Sequence, residues 1–303
     1  MSTTREGAPV PPPDVTPHDE PLGPSLSPSR AADFMACPLL YRFRVVDRLP
    51  RRPTPEAARG TVVHAALEDL FDLPASARTP ERARELVHPA WQRLVDEDPE
   101  LTGLFDDDAD GSALAEWLDG ARALVARYFE LEDPTRLEPA ERELLVETVL
   151  ESGLRLRGYV DRLDVAPASG DLRVVDYKSG RAPAPGFEQR AMFQMRFYAL
   201  VLWRLRGRVP RVLQLVYLGS GEVLRYQPDE TDLRATERLL GALWTAIDRA
   251  TREADWRPSP GRLCDHCDHR ELCPAFGGTP PPLPPGVPSV TDLPEPAHLP
   301  GAP

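Results

Sequence analysis

The chain has 303 residues, 41% of them hydrophobic, enough to bury the core of one large domain or two small ones. Its formal charge of −12 at pH 7, taken as a whole, argues against a nucleic-acid partner. No apolar run approaches membrane-spanning length and no charged segment precedes an apolar stretch at the start, so a soluble, cytoplasmic protein is expected.

The 36 prolines gather at the two ends. Residues 1–24 and 277–303 are proline-rich, aperiodic and nearly free of large apolar side chains, and are expected to be disordered tails flanking an ordered domain over 25–276. Residues 27–49 open on Ser-Pro-Ser, a helix N-cap signal, and carry helical spacing through Phe34, Leu40, Tyr41 and Val45. Within them the stretch from residue 42 to 52 is locally basic. With Arg155, Arg157 and Arg162 it offers a local phosphate-binding track despite the overall charge. A second helix, 55–73, puts His64 and Glu68 four apart on one face, although a lone histidine there also suits a core position. Amphipathic helices follow over 79–95 and 112–130, and the acidic residues of 96–110 between them read as a solvated loop.

The periodicity then switches to two. Strands are predicted over 142–150, 153–165 and 172–178, the last two joined by a turn containing Pro167 and Gly170. Helix returns over 187–206, strands over 212–218 and 223–226, and a long helix over 231–252. The fold class is α/β, a mixed central sheet flanked by helices with an added helical region at the N-terminus.

On the third strand Asp176 and Lys178 lie two apart and share a face, and Asp161 can reach that face from the neighbouring strand. Two carboxylates beside a lysine make a site for Mg²⁺ or Mn²⁺ and an activated water. Lys178 is the only lysine in the chain. Where arginine serves every other need for positive charge, this points to a task that requires an ammonium. The plainer reading is an ion pair on a solvated hairpin. On the following helix Gln194 and Tyr198 lie four apart, and the tyrosine also fits a core aromatic position.

Four cysteines are present: Cys37, and the cluster Cys264, Cys267 and Cys273, a C-x₂-C-x₅-C run. In a chain without an export signal this spacing argues for a metal site rather than disulfides. Four thiolates suit structural Zn²⁺ or a 4Fe–4S cluster. Proline after Cys37 and Cys273 leans toward iron–sulfur, whereas His266 and His269 keep zinc open. Either site would staple the N-terminal helix to the C-terminal end.

With these residues in hand, the sequence resembles the RecB-type branch of the PD-(D/E)XK nuclease superfamily, in particular its iron–sulfur members, the AddB nuclease domain and the CRISPR-associated adaptation nucleases. Gly60…His64 resembles the family's G-x-x-x-H, Gly158-Tyr-Val-Asp161 its first acidic motif, Asp176-Tyr-Lys178 its D/E-x-K and Gln194…Tyr198 its Q-x-x-x-Y. The resemblance implies a restriction-endonuclease-like fold over about residues 27–274. It implies that His64, Asp161, Asp176 and the Tyr177 carbonyl bind the divalent metal, that Lys178 serves the water, and that Gln194 and Tyr198 hold the DNA or the site. It also implies that Cys37, Cys264, Cys267 and Cys273 bind a 4Fe–4S cluster. A glutamate usually precedes the first aspartate; Glu147 is the first choice and Glu143 the second. The activity implied is DNA hydrolysis, exonuclease-like, in repair or recombination, against the rival of a non-catalytic DNA-binding scaffold. With no G-x-x-x-x-G-K-[S/T] motif in the chain, any helicase partner would be a separate protein.

Overall fold

The computed structural model describes residues 25–105, 111–184, 186 and 188–284. The predicted tail over 1–24, most of that over 277–303 and the acidic residues 106–110 lie outside them. Three helices start with the same device, a Ser or Thr cap followed by proline. Ser27 caps α1 (Pro28–Ala36), Thr54 caps α3 (Pro55–Leu70) and Thr79 caps α4 (Pro80–Glu97), each side chain accepting an amide of the first turn. The single helix predicted over 27–49 is broken. Cys37 is extended ahead of Pro38, which disfavours a helical residue before it, and the chain restarts as α2 (Pro38–Tyr41) and a π-helical turn over Arg42–Val46. The other helices are α5 (Ser112–Leu131), α6 (Glu188–Arg206) and α7 (Glu230–Arg252).

Six strands make one mixed sheet: β1 (Ser25–Leu26), β2 (Glu141–Val149), β3 (Arg155–Val165), β4 (Leu172–Lys178), β5 (Val212–Tyr217) and β6 (Glu222–Tyr226). The two-residue β1 carries no periodic signal and was not foreseen. Helices α3, α4 and α5 cover one face with Val175, Tyr177, Val216 and Leu218. Helices α1, α6 and α7 cover the other with Leu172, Val174, Leu213 and Leu215.

One feature of the sheet positions everything that follows. β2 pairs antiparallel along β3 from Arg155 to Leu163. On the opposite edge of β3, β1 pairs only at Arg155 and Leu156, and β4 only from Arg162 to Val165. Among the described residues no strand occupies that edge from 157 to 161. β3 and β4 therefore fork, and the next pair in their register, Asp161 and Asp176, stands at the apex. β4 continues beside β5 instead, in parallel as far as Lys178.

Beneath the apex, on the α3–α5 side, Arg162 is fully buried. Its guanidinium meets both oxygens of Glu132, at 2.8 and 3.1 Å, the carboxylate of Asp164, and the hydroxyls of Tyr128 (3.0 Å) and Tyr177 (2.6 Å). The expected role of Arg162 in a phosphate track is thus corrected: its charge is consumed inside the core. Much of the basic 42–52 stretch is likewise paired, Arg42 with Asp47 and both Arg44 and Arg51 with Asp33.

Burial alone would raise the pKa of Glu132, but Arg162, the Gln214 amide and Arg173 together hold it below its ordinary 4.5. A carboxylate depressed on folding stabilises above its unfolded pKa and loses that contribution as pH falls through the folded value. Glu132→Gln should therefore destabilise by about 3 kcal/mol at neutral pH, as expected when one partner of a buried pair is removed. Urea denaturation of both proteins down to about pH 3 should show this gap closing, because protonated Glu132 then resembles glutamine.

Candidate active site

Both strands of the β2–β3 ladder reverse their faces at one cross-strand pair, Glu143 and Asp161. Leu144 and Val146 pack on the α6 side, yet Arg142 reaches the Glu68 carbonyl of α3. Val160 packs on the α6 side, yet Arg162, two residues on, enters the α3–α5 side. Residues two apart on a regular strand share a face, so the pleat turns over here. The ladder is interrupted at this pair and Glu143 takes φ 43°, a left-handed backbone that costs energy for a residue with a side chain. The distortion brings the carboxylates of Glu143 and Asp161 together at the fork.

His64 arrives from α3. Its Nε2 lies 2.8 Å from the Tyr177 carbonyl and its Nδ1 lies 3.4 Å from Asp161 Oδ2. A carbonyl only accepts, so Nε2 carries the proton. Burial, aided by Lys178, lowers the pKa of His64 against the pull of Asp176 and the Tyr177 bond, which favours the neutral ring. The Nδ1 lone pair is thereby aimed at Asp161. A nitrogen of His64 and oxygens of Glu143 and Asp161 all lie within 4.8 Å of one another, a donor set suited to a divalent cation.

Asp161 Oδ2 also accepts the Tyr177 amide at 2.7 Å, standing in for the ladder bond lost at the fork. Asp176 is buried beside it. Its Oδ2 lies 2.6 Å from Lys178 Nζ as a charge contact without hydrogen-bond geometry, and its Oδ1 accepts from Gln194 Nε2 at 2.9 Å. Gln194 Oε1 accepts from Lys178 Nζ at 2.9 Å and Gln194 Nε2 also reaches the Tyr198 hydroxyl at 3.0 Å, so every end of this amide is assigned. A Cβ on Gly158 would fall 2.7 Å from the Tyr198 ring, which is why glycine stands there.

The structure thus brings His64, Asp161, Asp176, Tyr177, Lys178, Gln194 and Tyr198 to one place. The Tyr177 carbonyl is engaged by His64, leaving its second lone pair. In the Asp176–Lys178 pair the aspartate is buried and the lysine one-third exposed, so the pair is not the fully solvated hairpin contact of the plainer reading. The glutamate is Glu143; Glu147, the first choice from sequence, pairs with Arg155 and Arg157 further along the sheet. The turn could have revealed this, since Glu143 and Asp161 are equally far from its centre at Ser152. The four cysteines line a separate cavity at the far end of α1.

The family profile of the PD-(D/E)XK nuclease superfamily matches residues 25–274. The chain belongs to this superfamily. PD-(D/E)XK nucleases use divalent metals, and Asp176-Tyr177-Lys178 has the D-x-K spacing. The Gene 69 proteins of Mycobacterium phages D29 and L5 are 24% identical over 284 residues and 25% over 300. Each alignment covers 84% of this chain, with 97% and 98% of the phage proteins. A crystal structure of a candidate exonuclease from Eubacterium rectale aligns over 81% of this chain and 87% of its own, with a TM-score of 0.52 and 12% identity, a likeness of fold.

Burial and the neighbouring Asp176 hold Asp161 well above the usual carboxylate range, and burial with Glu68 and Asp176 pushes Glu143 up to about 7. Protons on these acids compete with a cation, so Mn²⁺ affinity should rise as pH increases through about 7, with proton release detectable by calorimetry in buffers of different ionisation enthalpy. In the same titration Glu143→Gln should weaken Mn²⁺ binding by about ten-fold or more, and Glu147→Gln by less than about two-fold.

Proposed function

We propose that this protein is a metal-dependent deoxyribonuclease of the RecB type, exonuclease-like, acting in DNA repair or recombination. The observation that carries this reading is the convergence of His64, Glu143 and Asp161 at the fork, with Asp176 next to Asp161 in the strand register and the chain's only lysine tied to Asp176 and Gln194. A scaffold protein gains nothing from crowding buried acids around one ammonium.

His64, Asp161, Asp176 and the free lone pair of Tyr177 would hold Mg²⁺ or Mn²⁺, with Glu143 completing the set. When bound, the cation polarises the scissile phosphate and lowers the pKa of a coordinated water. Asp161 is fixed for ligation by the Tyr177 amide, and His64 by the Tyr177 carbonyl. Lys178 Nζ, fixed from two sides by Asp176 and Gln194, lines the open groove. There it aligns the attacking water and offsets the charge that develops on the phosphate. Gln194 keeps lysine and aspartate in register, and Tyr198 anchors the glutamine.

The cysteines fit a 4Fe–4S cluster. Backbone amides of Ser259 and Gly261 donate to the sulfurs of Cys37 (3.4 Å) and Cys264 (3.3 Å), as suits thiolates. Four thiolates around one cavity suit such a group. Bound there, it would clamp α1, which follows Ser27 at the groove and ends at Cys37. A helicase or repair partner would be a separate chain.

Digestion of end-labelled single- and double-stranded DNA with Mn²⁺ tests the activity, and Lys178→Ala should slow it by about 10²–10³-fold. Equal rates for the two proteins would reject the site. Anaerobically purified protein should be brown with broad visible absorption, and a colourless, zinc-loaded protein would reject the cluster.

A further inference from the structure

The fork between β3 and β4 opens into a groove of about 640 Å³ that runs from β1 and the start of α1, past the unpaired edge of β3, to Lys178, Gln194 and Tyr198. Among the described residues its lining includes Arg30, Arg157 and Lys178 and no carboxylate, in a chain whose net charge is −12. Arg30 is held there by the Ser25 carbonyl at 2.9 Å. Arg157 has only a long 3.8 Å contact with Glu147 and can turn to an anion. The serine hydroxyls at 27 and 29 add polar groups at the same mouth.

The other component is aromatic. Tyr159 stands on β3 two residues before Asp161 and is half exposed (50%) on the groove wall, an unusual place for a ring that the core does not use. Phe193 lines the wall from α6. Phosphate-binding cations alternating with an exposed ring are what a single polynucleotide strand needs. Its backbone tracks the charge, and its unpaired bases offer faces that stack without regard to sequence. A duplex keeps those faces inside its own stack.

We propose that a single strand of DNA lies in this groove, its phosphates on Arg30 and Arg157 and a base stacked on Tyr159, so that Tyr159 positions the strand next to Lys178. This rests on the nuclease reading above and adds the substrate form. The duplex must then be opened before it reaches the fork.

The test measures binding separately from cleavage. Anisotropy of a labelled oligothymidylate and of a blunt duplex, with Ca²⁺ replacing Mn²⁺, is recorded over a salt series for the full chain and its variants. Tyr159→Ala should weaken the single strand by about ten-fold, the scale of one lost base stack, and Tyr159→Phe should restore it to within about two-fold. Duplex affinity should hardly move. Arg157→Gln should reduce the salt slope by about 0.7, one phosphate contact on a single strand. Unchanged binding of the oligothymidylate to Tyr159→Ala would overturn the proposal. So would an equal loss for the duplex, or a Tyr159→Phe variant as weak as Tyr159→Ala. Thermal melts of the variants matching the parent exclude misfolding. Cleavage separates the two ideas: Lys178→Ala should bind the strand and fail to cut it, and a parent protein that leaves DNA uncut with Mn²⁺ would sink the nuclease assignment while leaving the groove measurement intact.

Discussion

The structure depends on keeping like charges together where water cannot screen them. Asp161, Asp176 and Glu143 crowd one corner of the sheet, two of them with their proton affinity raised by burial and by one another. Such a cluster is tolerable only if each oxygen is given a partner. The Tyr177 amide serves Asp161, the Gln194 amide and the Lys178 ammonium serve Asp176, and a neutral His64 turns a lone pair toward the same point. The set is short of positive charge, and that deficit is the physical reason it suits a divalent cation.

The backbone contributes as much as the side chains. A sheet that continued its ladder through Asp161 and Asp176 would bury their flanking residues on opposite faces and leave no opening. The left-handed turn of Glu143 and the parting of β3 from β4 leave a groove along the unpaired edge of β3 that ends at Lys178, while His64, Glu143 and Asp161 line a small cavity of their own. Arg162 stabilises the underside. By bonding Glu132, Asp164, Tyr128 and Tyr177 from the opposite face, it ties β3, which carries Asp161, to β4, whose Tyr177 carbonyl pairs with His64. α1 runs from the groove at one end to the cysteine cavity at the other.

Local rules were enough to read most of this from the sequence. Alternation located β3 and β4, the Ser-Pro-Ser cap located the start of α1, and two-residue spacing put Asp176 and Lys178 on one face. Reading failed where the pleat inverts. Strand parity gives Glu143 and Glu147 the same standing, and only the pairing of β2 with β3 distinguishes them. It failed again for Arg162, whose neighbours in sequence suggest a surface while its partner Glu132 comes from the end of α5. β1 is two residues long and is held only by pairing with β3, so no periodicity could announce it. The net charge was misleading in the same way, because what matters is that among the described residues no carboxylate lines the groove.

The central claim is that the acids at the fork converge on a single cation. The most direct measurement is anomalous diffraction from crystals soaked in Mn²⁺. The account predicts one strong peak at the apex, within about 2.3 Å of ligating atoms of Asp161, Asp176 and His64. Manganese bound elsewhere, or an apex whose carboxylates point apart with no peak between them, would contradict it.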